Sequence, residues 1–140
     1  MNLLILGDIM GASGRKALVN KLPDLIKKNK IDFVIVNGEN ASDDGRGITK
    51  EITDEFFKIG VDVITSGNHI WDKKETADFI EKEKRLLRPA NLVNGSPGRG
   101  YKIYPSKNEK FKIGVINLMG NVFMRKTEDV FKTAKEISSK

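Results

Sequence analysis

Four short runs of apolar and β-branched residues punctuate the chain: Asn2–Leu6 (NLLIL), Phe33–Asn37 (FVIVN), Val61–Thr65 (VDVIT) and Ile113–Asn117 (IGVIN). Each is followed within three residues by glycine. Near-continuous apolar runs of this length predict strands of a parallel sheet buried on both faces. Between and after the first three lie helical patterns over Arg15–Lys28, Thr49–Ile59 and Lys73–Lys84, with apolar residues such as Leu18, Leu22, Leu25 and Ile26 spaced three or four apart. Alternation of strand and helix predicts βαβ crossovers. Gly60 stands where a C-terminal helix cap belongs, and Asp72 with Glu75 forms a capping-box pattern. Pro23 is expected to kink the first helix or to begin a second short one.

The later third reads differently. Asn94–Gly100 (NGSPGRG) carries turn chemistry, and Tyr101–Tyr104 with Lys112–Asn117 suits a hairpin closed over Pro105–Lys110. A last amphipathic pattern, Glu128–Ile137, places Val130, Phe131, Ala134 and Ile137 on one side. A doubly wound sheet usually has five or more strands, so about four plus a hairpin edge suggests an incomplete sheet.

Composition narrows the chemistry. A length of 140 residues and an apolar fraction of 39% describe a single domain, residues 1–140, with a real core. No apolar run is long enough to span a membrane and no signal peptide leads the chain, so the expectation is a soluble cytoplasmic protein without membrane partners. The absence of cysteine excludes thiolate metal sites, and a lone histidine, His69, excludes a multi-histidine site built by these residues. The net charge of +6 is concentrated in residues 101–140, which carry 9 basic and 4 acidic side chains. The cations are mostly lysine and no aromatic residues interleave with them, which favours a solvated face over a nucleic-acid surface.

Candidate chemistry follows from where the polar residues fall. In open α/β sheets, ligands bind beyond the carboxyl ends of the strands. The first three strands end alike, in Gly7-Asp8, then Gly38-Glu39-Asn40, then Gly67-Asn68-His69. Carboxylates gathered on one rim repel unless a proton or cation compensates, so this set of oxygen donors predicts a divalent-cation site for Mn²⁺, Mg²⁺, Fe or Zn²⁺. The glycines at 7, 11 and 14 fit neither a dinucleotide fingerprint nor a Walker loop. Trp71 is expected as a packing anchor and Asp72 as a helix cap. Arg88 and Arg99, flanked by glycine and proline, are weaker candidates for phosphate recognition.

The strings GDIMGASGR, NGENASDDGRGIT, GVDVITSGNHIWDKKE and LLRPANLVNGSPGRGY together resemble the YmdB-like family of calcineurin-like metallophosphoesterases, in order along nearly the whole chain. That resemblance implies an α/β sandwich, here with a mostly parallel sheet flanked by helices and a C-terminal hairpin. It also implies a two-metal centre, with Fe or Mn favoured and Mg or Zn admissible, and phosphodiesterase action on cyclic nucleotides, 2′,3′-cyclic ones among them. Position by position, Asp8 would bind one metal, Glu39 would bridge, Asn40 and Asn68 would complete the ligands available, and His69 would act as general acid. The family continues for about as many residues again and supplies three further histidines absent here. The chain is therefore expected to be the N-terminal half of such a domain, with the rest of the centre provided by a C-terminal half or by another copy. Two other readings stand beside it: a non-catalytic nucleotide- or RNA-binding module, and an inactive half-domain that self-associates through an exposed sheet edge.

Overall fold

The structure is a computed structural model that describes residues 1–93, 95–124 and 126–139. Four strands, β1 (Leu3–Asp8), β2 (Phe33–Asn37), β3 (Val63–Thr65) and β4 (Leu86–Leu87), form a parallel sheet in the order β1-β2-β3-β4. The crossovers carry α1 (Gly11–Asn29), α2 (Lys50–Lys58) and a single turn, α3 (Thr76–Phe79). An antiparallel hairpin, β5 (Tyr101–Pro105) with β6 (Lys112–Ile116), forms a second sheet, and α4 (Val130–Ser138) follows.

Side chains alternate across a strand, and both faces of β2 and β3 are used. Val34, Val36 and Ile64 pack with Leu18 and Leu22 of α1 and Ile52 and Phe56 of α2. Phe33, Val63 and Leu87 face the other way, onto Tyr104, Ile113 and Val115 of the hairpin. The chain is thus an α/β stack: helices, parallel sheet, then hairpin. Tyr104 anchors the hairpin, with its ring 6.1 Å from that of Phe33 and its hydroxyl donating to the Lys84 carbonyl at 2.7 Å.

Several expectations are corrected. Ile113–Asn117 is no strand of the parallel sheet; Lys112–Ile116 is the second arm of the hairpin. The fourth parallel strand is Leu86–Leu87, paired through Ile64 with Leu86 and Thr65 with Leu87. The helix expected over Lys73–Lys84 shrinks to α3, and its capping box does not form. Tertiary partners take the polar groups instead: Glu75 Oε1 accepts from the Lys50 amide at 2.9 Å, and the buried Thr76 hydroxyl donates to the Ile48 carbonyl at 2.9 Å. Helix α1 begins at Gly11 and runs through Pro23 as one helix, so no second helix starts there.

Other punctuation agrees with expectation. Gly60 follows α2 at φ +106°, the C-terminal cap position expected of it and a conformation that suits glycine. Thr49, expected as the first residue of that helix, stands just before it and caps it by accepting from the Ile52 amide. Gly95 and Gly98 hold positive φ in the expected turn segment, whose first residue, Asn94, lies outside the described residues. Among the described residues, no helix is long and apolar enough to cross a membrane.

Candidate metal centre at the strand ends

The parallel sheet delivers its polar residues to one edge. In the ladder, Leu6 faces Val36 but Asp8 faces Asn37, so Gly7 is an extra residue on β1. Such a bulge re-aims the residue that follows it, here Asp8. On β2, Gly38 continues the ladder by donating to the Thr65 carbonyl at 2.9 Å. A Cβ at Gly38 would meet Ile64 Cγ2 at 2.9 Å and Ile48 Cδ1 at 3.1 Å, so glycine lets the chain leave the strand tight against the core. The Glu39 amide then donates to Asn37 Oδ1 at 2.9 Å, turning the chain so that Glu39 and Asn40 stand at the sheet edge.

Asn40 Nδ2 donates to Asp8 Oδ2 at 2.8 Å and joins the ends of β1 and β2. Gly67, two residues beyond β3, lies directly under the Glu39 carboxyl group. A Cβ there would sit 2.6 Å from Glu39 Cδ, closer than any real contact. Glycine at this position is therefore what gives the Glu39 carboxylate its seat.

Asp8, Glu39, Asn40 and Asn68 line one open cavity of about 460 Å³. His69 stands close enough for its charge to act on Glu39, and its Nδ1 lies 2.7 Å from Asp72 Oδ2. The expected helix cap at Asp72 is thus replaced by a partner for the histidine. Burial, and then repulsion from Asp8, push the Glu39 carboxyl above its ordinary value of 4.5; His69 and a hydrogen bond from Asn37 pull it back. A carboxylate held near another and partly shielded from water favours a proton or a cation beside it.

The opposite wall was not foreseen. Asn117, directly after β6, donates through Nδ2 to the Ser66 carbonyl at 2.8 Å and the Leu87 carbonyl at 2.9 Å, tying the hairpin to the ends of β3 and β4. It lines the cavity with Asn37, Ser66 and Met119. The signal available was the likeness of GVIN to FVIVN, a strand ending in asparagine at a sheet edge. Asn91, fully buried, holds the next stretch of wall by accepting from the Met119 amide at 3.0 Å and donating to its carbonyl at 2.7 Å.

The two arginines are not at this rim. Arg88 spends its guanidinium on the carbonyls of Pro97, Pro89 and Ser96, at 3.1, 2.9 and 3.2 Å, and staples its own loop. Arg99 lines a separate groove with Tyr101, Ile103 and Ile137. Trp71 is half-buried against the helix-side core, in keeping with its expected packing role.

Whether these residues fit a metal is decided by their donors. Asn40 Oδ1 is buried and has no hydrogen-bond partner, although its amide nitrogen is engaged. Such an orphaned acceptor beside two carboxylates fits a hard, oxygen-seeking cation. Among the described residues no three Asp, Glu, His or Cys side chains converge, so any ion held here alone relies on amide oxygens beside Asp8 and Glu39.

An α/β fold with a mostly parallel sheet and an acidic, amide-rich cavity at its strand ends defines the class. The sequence profile of the YmdB-like protein family matches residues 4–140, and the chain belongs to that family. It is 43% identical over 137 residues to a 2′,3′-cyclic-nucleotide 2′-phosphodiesterase of Bacillus subtilis (strain 168), a match covering 98% of this chain and 51% of that protein. A phosphatase from Mycoplasma pneumoniae superposes with a TM-score of 0.85 at 34% identity, covering 96% of this chain and 49% of the other. A crystal structure of a protein from Thermus thermophilus superposes with a TM-score of 0.90 at 31% identity, covering 100% of this chain and 53% of that one. The chain spans about half the length of the relatives it matches.

Proposed function

We propose that the chain carries the N-terminal part of a metal-dependent phosphodiesterase centre whose substrates are cyclic nucleotides of the 2′,3′ type. The observation that supports this most directly is the convergence of Asp8 and Glu39 with the unpartnered Asn40 Oδ1 in one cavity. Two divalent cations, Fe or Mn ahead of Mg or Zn, would supply Lewis acidity toward the phosphoryl oxygens and an activated water when bound.

Asp8 and Glu39, the latter seated over Gly67, would hold the ions through their carboxylates. Asn40 and Asn68 add neutral amide oxygens, which complete a coordination shell without adding repulsion. His69 donates a proton to the leaving oxygen. The remaining ligands come from a C-terminal half or a second copy, and the setting is cytoplasmic.

Titration with Mn²⁺ followed by electron paramagnetic resonance tests the ligand set: Asp8→Ala and Glu39→Ala should each weaken binding at least about tenfold. Hydrolysis of 2′,3′-cyclic AMP and bis-p-nitrophenyl phosphate, with this chain alone and with the C-terminal half of the Bacillus subtilis relative added, tests the reaction. Binding indifferent to both substitutions, together with no turnover in the reconstituted pair, would sink the proposal.

A further inference from the structure

His69 and Asp72 form a hydrogen-bonded pair in which Asp72 has no role in the proposed reaction so far. They share one tight turn, closed by the Ile70 amide on the Gly67 carbonyl at 3.3 Å and the Asp72 amide on the His69 carbonyl at 3.1 Å. Ile70 between them is fully buried, and Lys73 just beyond is tied to Asp44 at 2.7 Å. A Cβ at Gly47 would lie 3.1 Å from the His69 carbonyl, so a second loop presses on this turn. The backbone that carries the imidazole is thus fixed on three sides. Asp72 Oδ2 then takes Nδ1 at 2.7 Å.

An ionised carboxylate only accepts hydrogen bonds, so in this pair Nδ1 carries a proton. We propose that Asp72 is the positioning residue of the site: it holds the neutral His69 ring in the Nδ1–H tautomer, in one orientation, and leaves Nε2 as the nitrogen that exchanges protons. This deepens the reading of His69 as general acid, and rests on it for its catalytic meaning. In the reaction, the oxygen of water forms its bond to phosphorus while the bond from phosphorus to the leaving oxygen breaks. The Nε2 proton of the imidazolium moves to that leaving oxygen, and the ring is left as the Nδ1–H tautomer on Asp72. The proton released by the attacking water restores Nε2–H.

His69 is the single histidine of the chain, so its ring resonances are read without ambiguity. Long-range proton–nitrogen correlation spectra of the histidine-labelled chain, taken with the ring neutral, should show one Nδ1–H tautomer. Asp72→Ala should release the ring to a mixture dominated by Nε2–H, whereas Asp72→Asn, which keeps an acceptor oxygen, should retain most of the Nδ1–H form. A wild-type ring carrying its proton on Nε2 overturns the proposal without any variant, and so does a ring pattern unchanged by Asp72→Ala.

In the reconstituted enzyme, Asp72→Ala should lower turnover of 2′,3′-cyclic AMP about 100-fold. Hydrolysis of bis-p-nitrophenyl phosphate, whose leaving group departs without a proton, should stay within about twofold. Equal losses on both substrates count against positioning. A locked tautomer combined with His69→Ala that leaves both rates intact would instead remove the general-acid reading while the tautomer assignment stands.

Discussion

The two faces of the parallel sheet are covered unequally. On the helix side, α1 and α2 bury Leu18, Leu22, Ile52 and Phe56 against Val34, Val36 and Ile64. On the other side, the hairpin covers β2 to β4 through Tyr104, Ile113 and Val115 and stops short of β1, where Leu3 is 40% and Ile5 65% exposed. One face therefore sets the rigidity of the strand ends, and the other sets how the cavity wall beyond them is hung. The metal-ligand candidates all leave strands that share the first core, whereas Asn117 and Met119 arrive from the second layer.

The largest effect should come from the helix side. Phe56 is fully buried and its removal leaves a cavity, so Phe56→Ala should cost about 3–5 kcal/mol in urea-unfolding free energy. A loss below about 1 kcal/mol would mean that this face is not the main source of stability. Next comes the seam between the faces. Gly67→Ala places a methyl group where the Glu39 carboxyl sits. Mn²⁺ affinity should fall at least tenfold, about 1.4 kcal/mol, while the far-ultraviolet dichroism of the fold is retained.

The hairpin side has a signature in alkali. Burial pushes the Tyr104 hydroxyl up to about 12 from an ordinary 10.0. The unfolded chain releases that proton first, so the folded state binds more protons through this window. Stability should fall as pH rises from about 10 to about 12 and owe no slope to this group below it. Tyr104→Phe should remove that slope and cost about 1 kcal/mol at neutral pH through the lost bond to the Lys84 carbonyl. Smallest of all, Ile5→Ser on uncovered β1 should change stability by less than about 0.5 kcal/mol. A larger penalty in sedimentation-checked samples would mean that β1 is covered in solution.

Much of this was legible because it is local. Gly60 acts through its own backbone neighbourhood, and the repeated exit of strand, glycine and polar residue marks Asp8, Glu39, Asn40 and Asn68 as neighbours on one rim. What escaped depends on distant partners. Leu86–Leu87 is too short to show a period, and becomes a strand only because Ile64 and Thr65 offer a ladder. The capping pattern at Asp72 and Glu75 lost to His69 and to the Lys50 amide, which no spacing rule can see. The position of Arg88 beside proline suggests phosphate recognition, whereas its engagement with three carbonyls of its own loop depends on how that loop closes.

The double hold of Asn117 on the carbonyls of Ser66 and Leu87 makes the hairpin a ruler pegged at the cavity as well as at Tyr104. Residues gained or lost at the exposed closing turn, around Asn108–Lys110, lie beyond both pegs, and natural variation in length should gather there. A single insertion between Ile116 and Met119 would instead slide the cavity wall past its peg. Related chains should keep that spacing even where their side chains have drifted.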